Sequence, residues 1–318
     1  MPVYYMCISG NRTMQDNIKL ATRKSPLALE QANIVKEHLI EKGIFKNIEI
    51  VSMSTTGDTA DDSTFKSQGG KGLFLKELEI ALLAGKADIA VHSMKDVPAK
   101  LDKKFLVSSI MKREDPGDAF ISNSHDNIES LQNAIIGSSS PRRRAIITNL
   151  KQKINVVEIR GNINTRLRKL SDGKLDGIVL AKAGLHRMNM GHLITQSLNT
   201  DTFVPAPGQG ILCIECLSSN KLIMKKIKKV VDQKTEICSQ AERIFAASMD
   251  GNCSSPIGAY AHISGKTMTL TGFVASVNGD RYIKNRVVGT LQDYEKLSEK
   301  LSRLFIKMGS RGLLRCKM

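Results

Sequence analysis

Several stretches of this chain place charged or hydroxylic side chains where an apolar run gives way to a helix start. Arg23 and Ser25 follow residues 18–22; Ser93, Lys95 and Asp96 follow 87–93; Ser138, Ser140, Arg142, Arg143 and Arg144 follow 134–137; Arg160 closes 154–160, and Arg166 falls in the first turns of the next helix. At such junctions the unpaired N–H groups and dipole of the helix attract anions, and open α/β sheets bind ligands beyond the carboxyl ends of their strands. Positive charge gathered there, rather than spread over solvated faces, predicts a crevice between two lobes that grips a ligand bearing several carboxylates. Each charged hydrogen bond would contribute about 1.5–3 kcal/mol. Lys71, in Gly69-Gly70-Lys71-Gly72, stands at another helix start and allows a further anion contact, although the segment lacks the spacing of a P-loop.

Two residues do not fit simple anion binding. Asp96 either pairs with a neighbouring cation or serves a positive or N–H-bearing part of the ligand, and spacing leaves both open. Cys253 lies among small, turn-forming residues between Gly251 and Gly258. A loop cysteine is usually incidental, yet exposure permits covalent chemistry that a buried thiol would not. Cys213 and Cys216 have the form of a metal-binding pair. In a strand, however, positions i and i+3 face opposite ways, and no second pair exists, so no metal is expected. His92, inside an apolar strand, reads as a satisfied core histidine.

The elements that carry these groups follow from hydrophobic periodicity. Strands are expected at 18–22, 48–53, 87–93, 134–137, 154–160 and 176–181, alternating with helices at 27–41, after 72, at 142–150 and at 164–170. Ser25 reads as an N-cap, Pro26 as the first helical residue and Gly43 as a stop. Alternation of this kind means βαβ units and mainly parallel sheets. Pro205-Ala206-Pro207-Gly208-Gln209-Gly210 can continue neither regular structure, and the apolar run 211–217 behind it could rejoin the first sheet. From residue 222 one or two helices precede strands at 259–262, 267–274 and 282–289, with a closing helix at 294–308. The fold class is therefore α/β with two lobes plus a smaller α+β C-terminal domain. The expected divisions are a 1–14 extension, a first domain of 15–111 with 206–228, a second of 112–205 and a third of 229–318.

Composition narrows the function. The chain has 318 residues, 41% of them hydrophobic and 25% charged, so it can bury a core and is not natively disordered. No apolar run reaches the ~18 residues of a transmembrane helix. Six scattered cysteines in a long chain read as reduced thiols, hence a cytoplasmic address and no membrane partner. The net charge of +16 raises the question of nucleic acid, but Trp is absent and aromatics are 4%, so stacking platforms are lacking and no nucleic-acid partner is expected. Seven arginines fall between Arg142 and Arg187, whereas Lys225, Lys226, Lys228 and Lys229 read as a solvated face.

The residues also carry a resemblance. Ala21-Thr22-Arg23-Lys24-Ser25-Pro26-Leu27-Ala28, Gly69-Gly70-Lys71-Gly72-Leu73-Phe74, Ala90-Val91-His92-Ser93-Met94-Lys95-Asp96-Val97-Pro98, Arg160-Gly161-Asn162, Thr165-Arg166-Leu167, Pro207-Gly208-Gln209-Gly210 and the Cys253 loop resemble, in order, the porphobilinogen deaminase (hydroxymethylbilane synthase) family. The match runs from about residue 18 to the C-terminus. The resemblance implies two lobes similar to type II periplasmic binding proteins and a third domain holding a dipyrromethane cofactor by a thioether to Cys253. It implies the head-to-tail joining of four porphobilinogens with loss of ammonia, by a monomer.

By the same resemblance Lys95, Ser93, Ser138, Ser140, Arg142 and Arg143 hold the cofactor. Arg23, Ser25, Lys71, Arg160, Arg166 and Arg187 take substrate and growing chain, and Asp96 is the catalytic carboxylate. Porphobilinogen carries an acetate and a propionate, so its oligomer is the polyanion that the crevice predicts. Three positions depart from the family pattern: Ser67 beside Lys66 where lysine is usual, Pro141 for leucine, which suits a first helical position, and Asn252 for glycine.

Overall fold

The computed structural model of the chain describes residues 16–55, 75–150, 153–250 and 255–315. Lys66, Ser67, Lys71, Asn252 and Cys253 lie outside them. Strand β1 (Asn17–Arg23) leads into α1 (Pro26–Glu41) through the expected cap. Ser25, in extended conformation, accepts from the Ala28 N–H, Pro26 fills a position that needs no N–H, and Gly43 leaves the helix at φ +65°. There follow β2 (Asn47–Met53), α2 (Lys76–Leu83), β3 (Ile89–Ser93) and β4 (Phe105–Ser109). Leu75, Leu78 and Leu82 bury one side of α2, as their spacing predicts.

The second lobe repeats the plan with β5 (Asp118–Ile121), β6 (Ile135–Gly137), α3 (Pro141–Leu150), β7 (Asn155–Val157), α4 (Ile163–Ser171), β8 (Gly177–Ala181), α5 (Lys182–Arg187) and β9 (Gln196–Ser197). The chain then returns to the first lobe as β10 (Leu212–Leu217), followed by α6 (Lys221–Ile227). The sheets have orders β2-β1-β3-β10-β4 and β7-β6-β8-β5-β9, and in each the first three strands pair parallel. One strand per sheet is reversed: β10 runs antiparallel to β3 and β4, and β5 to β8 and β9. Each reversed strand is the one the chain forms directly after crossing between lobes. The mainly parallel sheets and the rejoining of the first sheet by residues 211–217 are thus met.

One strand is shorter than expected. β7 stops at Val157 rather than reaching Arg160, because its partner β6 has three residues to offer; Ser138 N–H makes the last bond, to Val157 O at 2.9 Å, as the chain turns into α3. Arg160 therefore sits in a loop and not at a strand end. Cys213 and Cys216 do face opposite ways: Cys213 packs beside Met94 and Val97, Cys216 among Ile214, Ile223 and Ile227.

The third unit holds α7 (Gln233–Ser248), the antiparallel β11 (Ile257–Ser264), β12 (Thr267–Ala275) and β13 (Tyr282–Thr290), then α8 (Tyr294–Lys307) and α9 (Ser310–Arg315). Phe245 of α7 meets Phe305 of α8 edge to face at 4.9 Å over Gly272, where a Cβ would come within 2.7 Å of Phe245. Phe273 and Ala275 of β12 enter the apolar cluster of the second lobe beside Phe120, Phe203 and Val204.

Inside that lobe α3 is docked by charge. Asp118, fully buried at the start of β5, accepts from Arg142 Nη1 at 2.8 Å and from Arg143 Nη2 and Nε at 2.7 and 3.1 Å. Burial alone would raise its pKa, but the two guanidiniums reverse that and hold the carboxyl far below the usual carboxylate range. Its stabilising charge is therefore present above the unfolded pKa of about 3.9 and lost only as the pH falls through the much lower folded value. Asp118→Asn should destabilise the folded chain by about 3–5 kcal/mol, because two buried cations lose their counter-charge. Urea unfolding at pH 7 measures this, and a loss under 1 kcal/mol would contradict it.

Candidate functional site

The turn after β3 is built to project two side chains and bury one. Residues Met94–Asp96 form a single 3-10 turn, closed by Val97 N–H on Met94 O at 3.1 Å and tied to the reversed strand by Met94 N–H on Ile211 O at 2.9 Å. Met94 is buried, and Lys95 and Asp96 are left half-buried on the other side. Below them His92 Nε2 lies 2.9 Å from Glu215 Oε2, both side chains buried, so His92 is the paired core histidine its apolar setting predicts. Ser93 Oγ bonds the Gln31 side chain of α1 at 3.0 Å. Asp96 accepts no hydrogen bond among the described residues.

Across the crevice, Ser138 and Ser140 shape the start of α3. Ser138 Oγ accepts from Ser140 N–H (3.3 Å), and Ser140 Oγ from Arg143 N–H (3.4 Å). The arginines behind them do not present free forks. Besides Asp118, Arg142 Nη1 donates to Val204 O (2.8 Å) and Arg143 Nη1 to Val179 O (3.0 Å). Arg142 Nε, buried, has no partner among the described residues. Arg166 donates from Nε to Gly161 O at 2.8 Å; burial and then Arg143 push its pKa down to about 10. Arg187, at the end of α5, donates from Nη2 to Gly210 O at 2.8 Å and is also brought to about 10, by burial that Glu114 partly offsets.

The two lobes meet electrostatically at Lys95. Burial is the largest cause that lowers its ammonium to about 8; Arg143 and Arg142 lower it further, while Asp96 and Asp118 pull it back. Lys95 Nζ lies 3.5 Å from Gln209 Oε1, and Gln209 Nε2 donates to Asp118 Oδ1 (2.8 Å) and Pro116 O (2.7 Å). Lys95, Arg142, Arg143 and Arg166 thus outnumber Asp96 and Asp118; burial is the main cause of the depressed pKa values of Lys95 and Arg166, and the neighbouring guanidiniums add to it. A group bearing carboxylates fits here, since it would supply the missing negative charge.

Other expected residues sit further out. Arg23 ends β1 half-buried and Ser25 caps α1, whose Leu27 comes 3.7 Å from the Cβ position of Gly184 in α5, so the first strand's end faces the helix that carries Arg187. Arg160 is paired with Glu158 at 2.8 Å, an exposed contact of small energetic worth. Lys71 and Cys253 are outside the described residues.

Sequence reasoning missed Gln209, Asp118, Arg113 and Glu242. The last pair clamps the crossing: buried Glu242 accepts from Arg113 Nη1 (2.5 Å), Gly208 N–H (2.6 Å) and Ala261 N–H (2.8 Å), while Arg113 Nε donates to Gln209 O (2.8 Å). The available signal was the breaker Pro207-Gly208-Gln209-Gly210, in which a polar side chain sits between two glycines.

Comparison with known proteins bears on the whole of this arrangement. The model of the porphobilinogen deaminase dipyromethane cofactor binding domain matches residues 18–225, and that of the porphobilinogen deaminase C-terminal domain matches 236–307. The porphobilinogen deaminase of Stenotrophomonas maltophilia is 40% identical over 300 residues, covering 94% of this chain and 99% of the relative. That of Francisella philomiragia is 42% identical over 298 residues, covering 93% and 98%. Among solved structures, the methionine binding protein MetQ is 11% identical with a TM-score of 0.44, covering 69% of this chain and 92% of its own. With the two family models matched over most of the chain and relatives aligned over nearly their full length, the chain belongs to the porphobilinogen deaminase family, the transferases that use a dipyrromethane cofactor to join porphobilinogens into hydroxymethylbilane in tetrapyrrole biosynthesis.

Proposed function

We propose that Asp96 is the catalytic carboxylate of this activity. The observation that carries the reading is a half-buried aspartate with no hydrogen bond among the described residues, in a crevice whose cations exceed its anions. When ammonia leaves the aminomethyl carbon of porphobilinogen, a cation conjugated with the pyrrole remains. An unengaged carboxylate can accept the pyrrole N–H and oppose that charge as it develops. After the new carbon–carbon bond forms, the attacked ring must lose a proton, and the same carboxylate can take it.

Lys95, Ser93, Ser138, Ser140, Arg142 and Arg143 are assigned to the cofactor, and Arg23, Ser25, Lys71, Arg160, Arg166 and Arg187 to substrate and growing chain. Cys253 is the attachment point. The bound dipyrromethane supplies a tethered pyrrole as the first nucleophile. Lys95 and Arg166 neutralise acetates and propionates, and Gln209 keeps Lys95 in register with the Asp118 cluster. The proposed domain divisions remain 15–111 with 206–228, 112–205 and 229–318. They are supported by the crossings near 110–117 and 205–211, and by Ile223 and Ile227 of α6 packing in the first lobe's core. We take the active form to be a cytoplasmic monomer, since one chain supplies every group named and Cys213, Cys216 and Cys238 are free buried thiols; no helix among the described residues is long and apolar enough to cross a membrane.

Intact mass of the denatured protein should show a two-pyrrole increment on the peptide containing Cys253, with ammonia released on adding porphobilinogen. Absence of both would overturn the reading. Asp96→Ala should keep the fold and the increment but retain less than about a tenth of wild-type kcat, as expected when a group acting in the transition state is removed.

Lys95 gives a pH dependence. Its depressed pKa means that the ammonium is present below about pH 8 and lost above it. Uptake of the cofactor by the empty chain should therefore fall on an alkaline limb near pH 8, since the carboxylates that Lys95 would bind are not yet there to hold its proton. Lys95→Arg, which stays charged, should move that limb upward, whereas an unchanged limb would remove Lys95 from cofactor binding.

A further inference from the structure

Helix α7 reaches the first lobe at the backbone that follows Asp96. Half-buried Arg243 donates from Nη2 to Pro98 O at 2.9 Å and Ala99 O at 3.4 Å, and from Nη1 to Val97 O at 3.3 Å, with Met94 Sδ 3.7 Å away. One planar guanidinium thus gathers three successive carbonyls and touches the buried residue of the turn that holds Asp96. Arginine suits this because its donors form a rigid fork, so little freedom is lost per bond.

The arrangement differs from the buried ion pairs elsewhere in the chain. Carbonyls carry no full charge, no ion pair of Arg243 lies within contact distance among the described residues, and burial lowers its pKa. Hydrogen bonds from a charged donor are worth about 1.5–3 kcal/mol each, and half-burying the cation offsets part of that. Its neighbour Glu242 grips the same turn from the other side: it binds Gly208 N–H, and Gly208 is pressed so close that a Cβ would lie 2.6 Å from Met94 Cγ and 3.2 Å from Lys95 N. Two adjacent residues of α7 therefore bracket Met94–Asp96, one through the crossing loop and one through the carbonyls behind it.

We propose that Arg243 is a positioning residue for Asp96, holding the backbone 97–99 so that the carboxylate stands at a fixed height in the crevice. The proposal rests on the catalytic role given to Asp96 above. Released carbonyls would let the turn relax, and a displacement near 1 Å at a reacting group can cost on the order of 100-fold in rate. Lys95 shares this turn, whereas Arg142, Arg143, Arg166 and Arg187 keep partners on other elements and would be unaffected.

The test uses the cofactor-loaded enzyme. Arg243→Met should carry the two-pyrrole mass increment and melt within a few degrees of wild type, with kcat lowered at least tenfold and KM within about threefold. Arg243→Lys, whose ammonium can reach one or two of the carbonyls, should recover part of the loss. A kcat within twofold of wild type in both variants overturns the proposal, as does a parallel loss of kcat, KM and cofactor loading, which would mark a merely structural role. Should Arg243→Met fail to fold, Arg243→Lys decides alone: reduced kcat at unchanged KM supports the proposal and wild-type kcat overturns it. Asp96→Ala is measured alongside. If it retains activity, the catalytic assignment fails, whereas an inactive Asp96→Ala beside a fully active Arg243→Met sinks this inference only.

Discussion

One carboxylate shared between two buried arginines sets the character of the crevice. Asp118 takes bonds from Arg142, Arg143 and Gln209, and this is what allows α3 to begin with consecutive guanidiniums pointing inward. Neutralisation is incomplete, since one negative charge serves two positive ones. At an effective dielectric near 20, unit charges 4 Å apart interact by about 4 kcal/mol, so the remainder is felt nearby. Burial is the main cause of the lowered pKa values of Arg166 and Lys95, and the arginines lower both further. Full neutralisation would make the lobe more stable and the crevice indifferent to carboxylates; the excess is the binding energy held in reserve.

That charge faces the first lobe across a closely packed crossing. Gly210, at φ +87°, lies where a Cβ would meet Glu114 O at 2.4 Å, so the outward and return segments touch backbone to backbone. Arg113 and Glu242 tie the same segments to α7, and Gln209 threads its amide between Lys95 and Asp118. The first and second lobes are thus joined by two spans in contact, and the third unit is fastened to both, by α7 on one side and by Phe273 and Ala275 on the other. This is why residues remote in the chain act on one another's titration.

What could be read from the chain and what could not divide by range. Ser25, Pro26 and Gly43 announce α1 because capping is local chemistry; His92 and the opposed faces of Cys213 and Cys216 follow from strand periodicity. The motifs carrying Asp96, Lys95 and Arg166 were legible as charge at element junctions. Asp118 was not, because its arginines lie 24 and 25 residues away and a single aspartate before a short apolar run has no pattern. Gln209 and Arg243 act on segments 91 to 146 residues distant, which no periodicity encodes. The strands β4, β5 and β9 were missed because at five residues or fewer alternation cannot be told from chance.

Two aspartates in one positive field differ in a way that fits the catalytic role proposed for Asp96 better than capture alone. Asp118 is saturated by arginine and amide donors, its carboxyl held far below its ordinary range, so it can accept neither another N–H nor a proton at neutral pH. Asp96, on the facing lobe, meets the same cations through Lys95 but takes no hydrogen bond among the described residues. A protein that merely stored a polycarboxylate would gain from removing Asp96, which opposes the ligand's charge. Its presence costs affinity for carboxylates and makes physical sense where part of the ligand turns positive. Loss of ammonia from porphobilinogen creates such a part, so in the proposed role the cations would bind the acids while the unengaged Asp96 carboxylate opposes the transient charge.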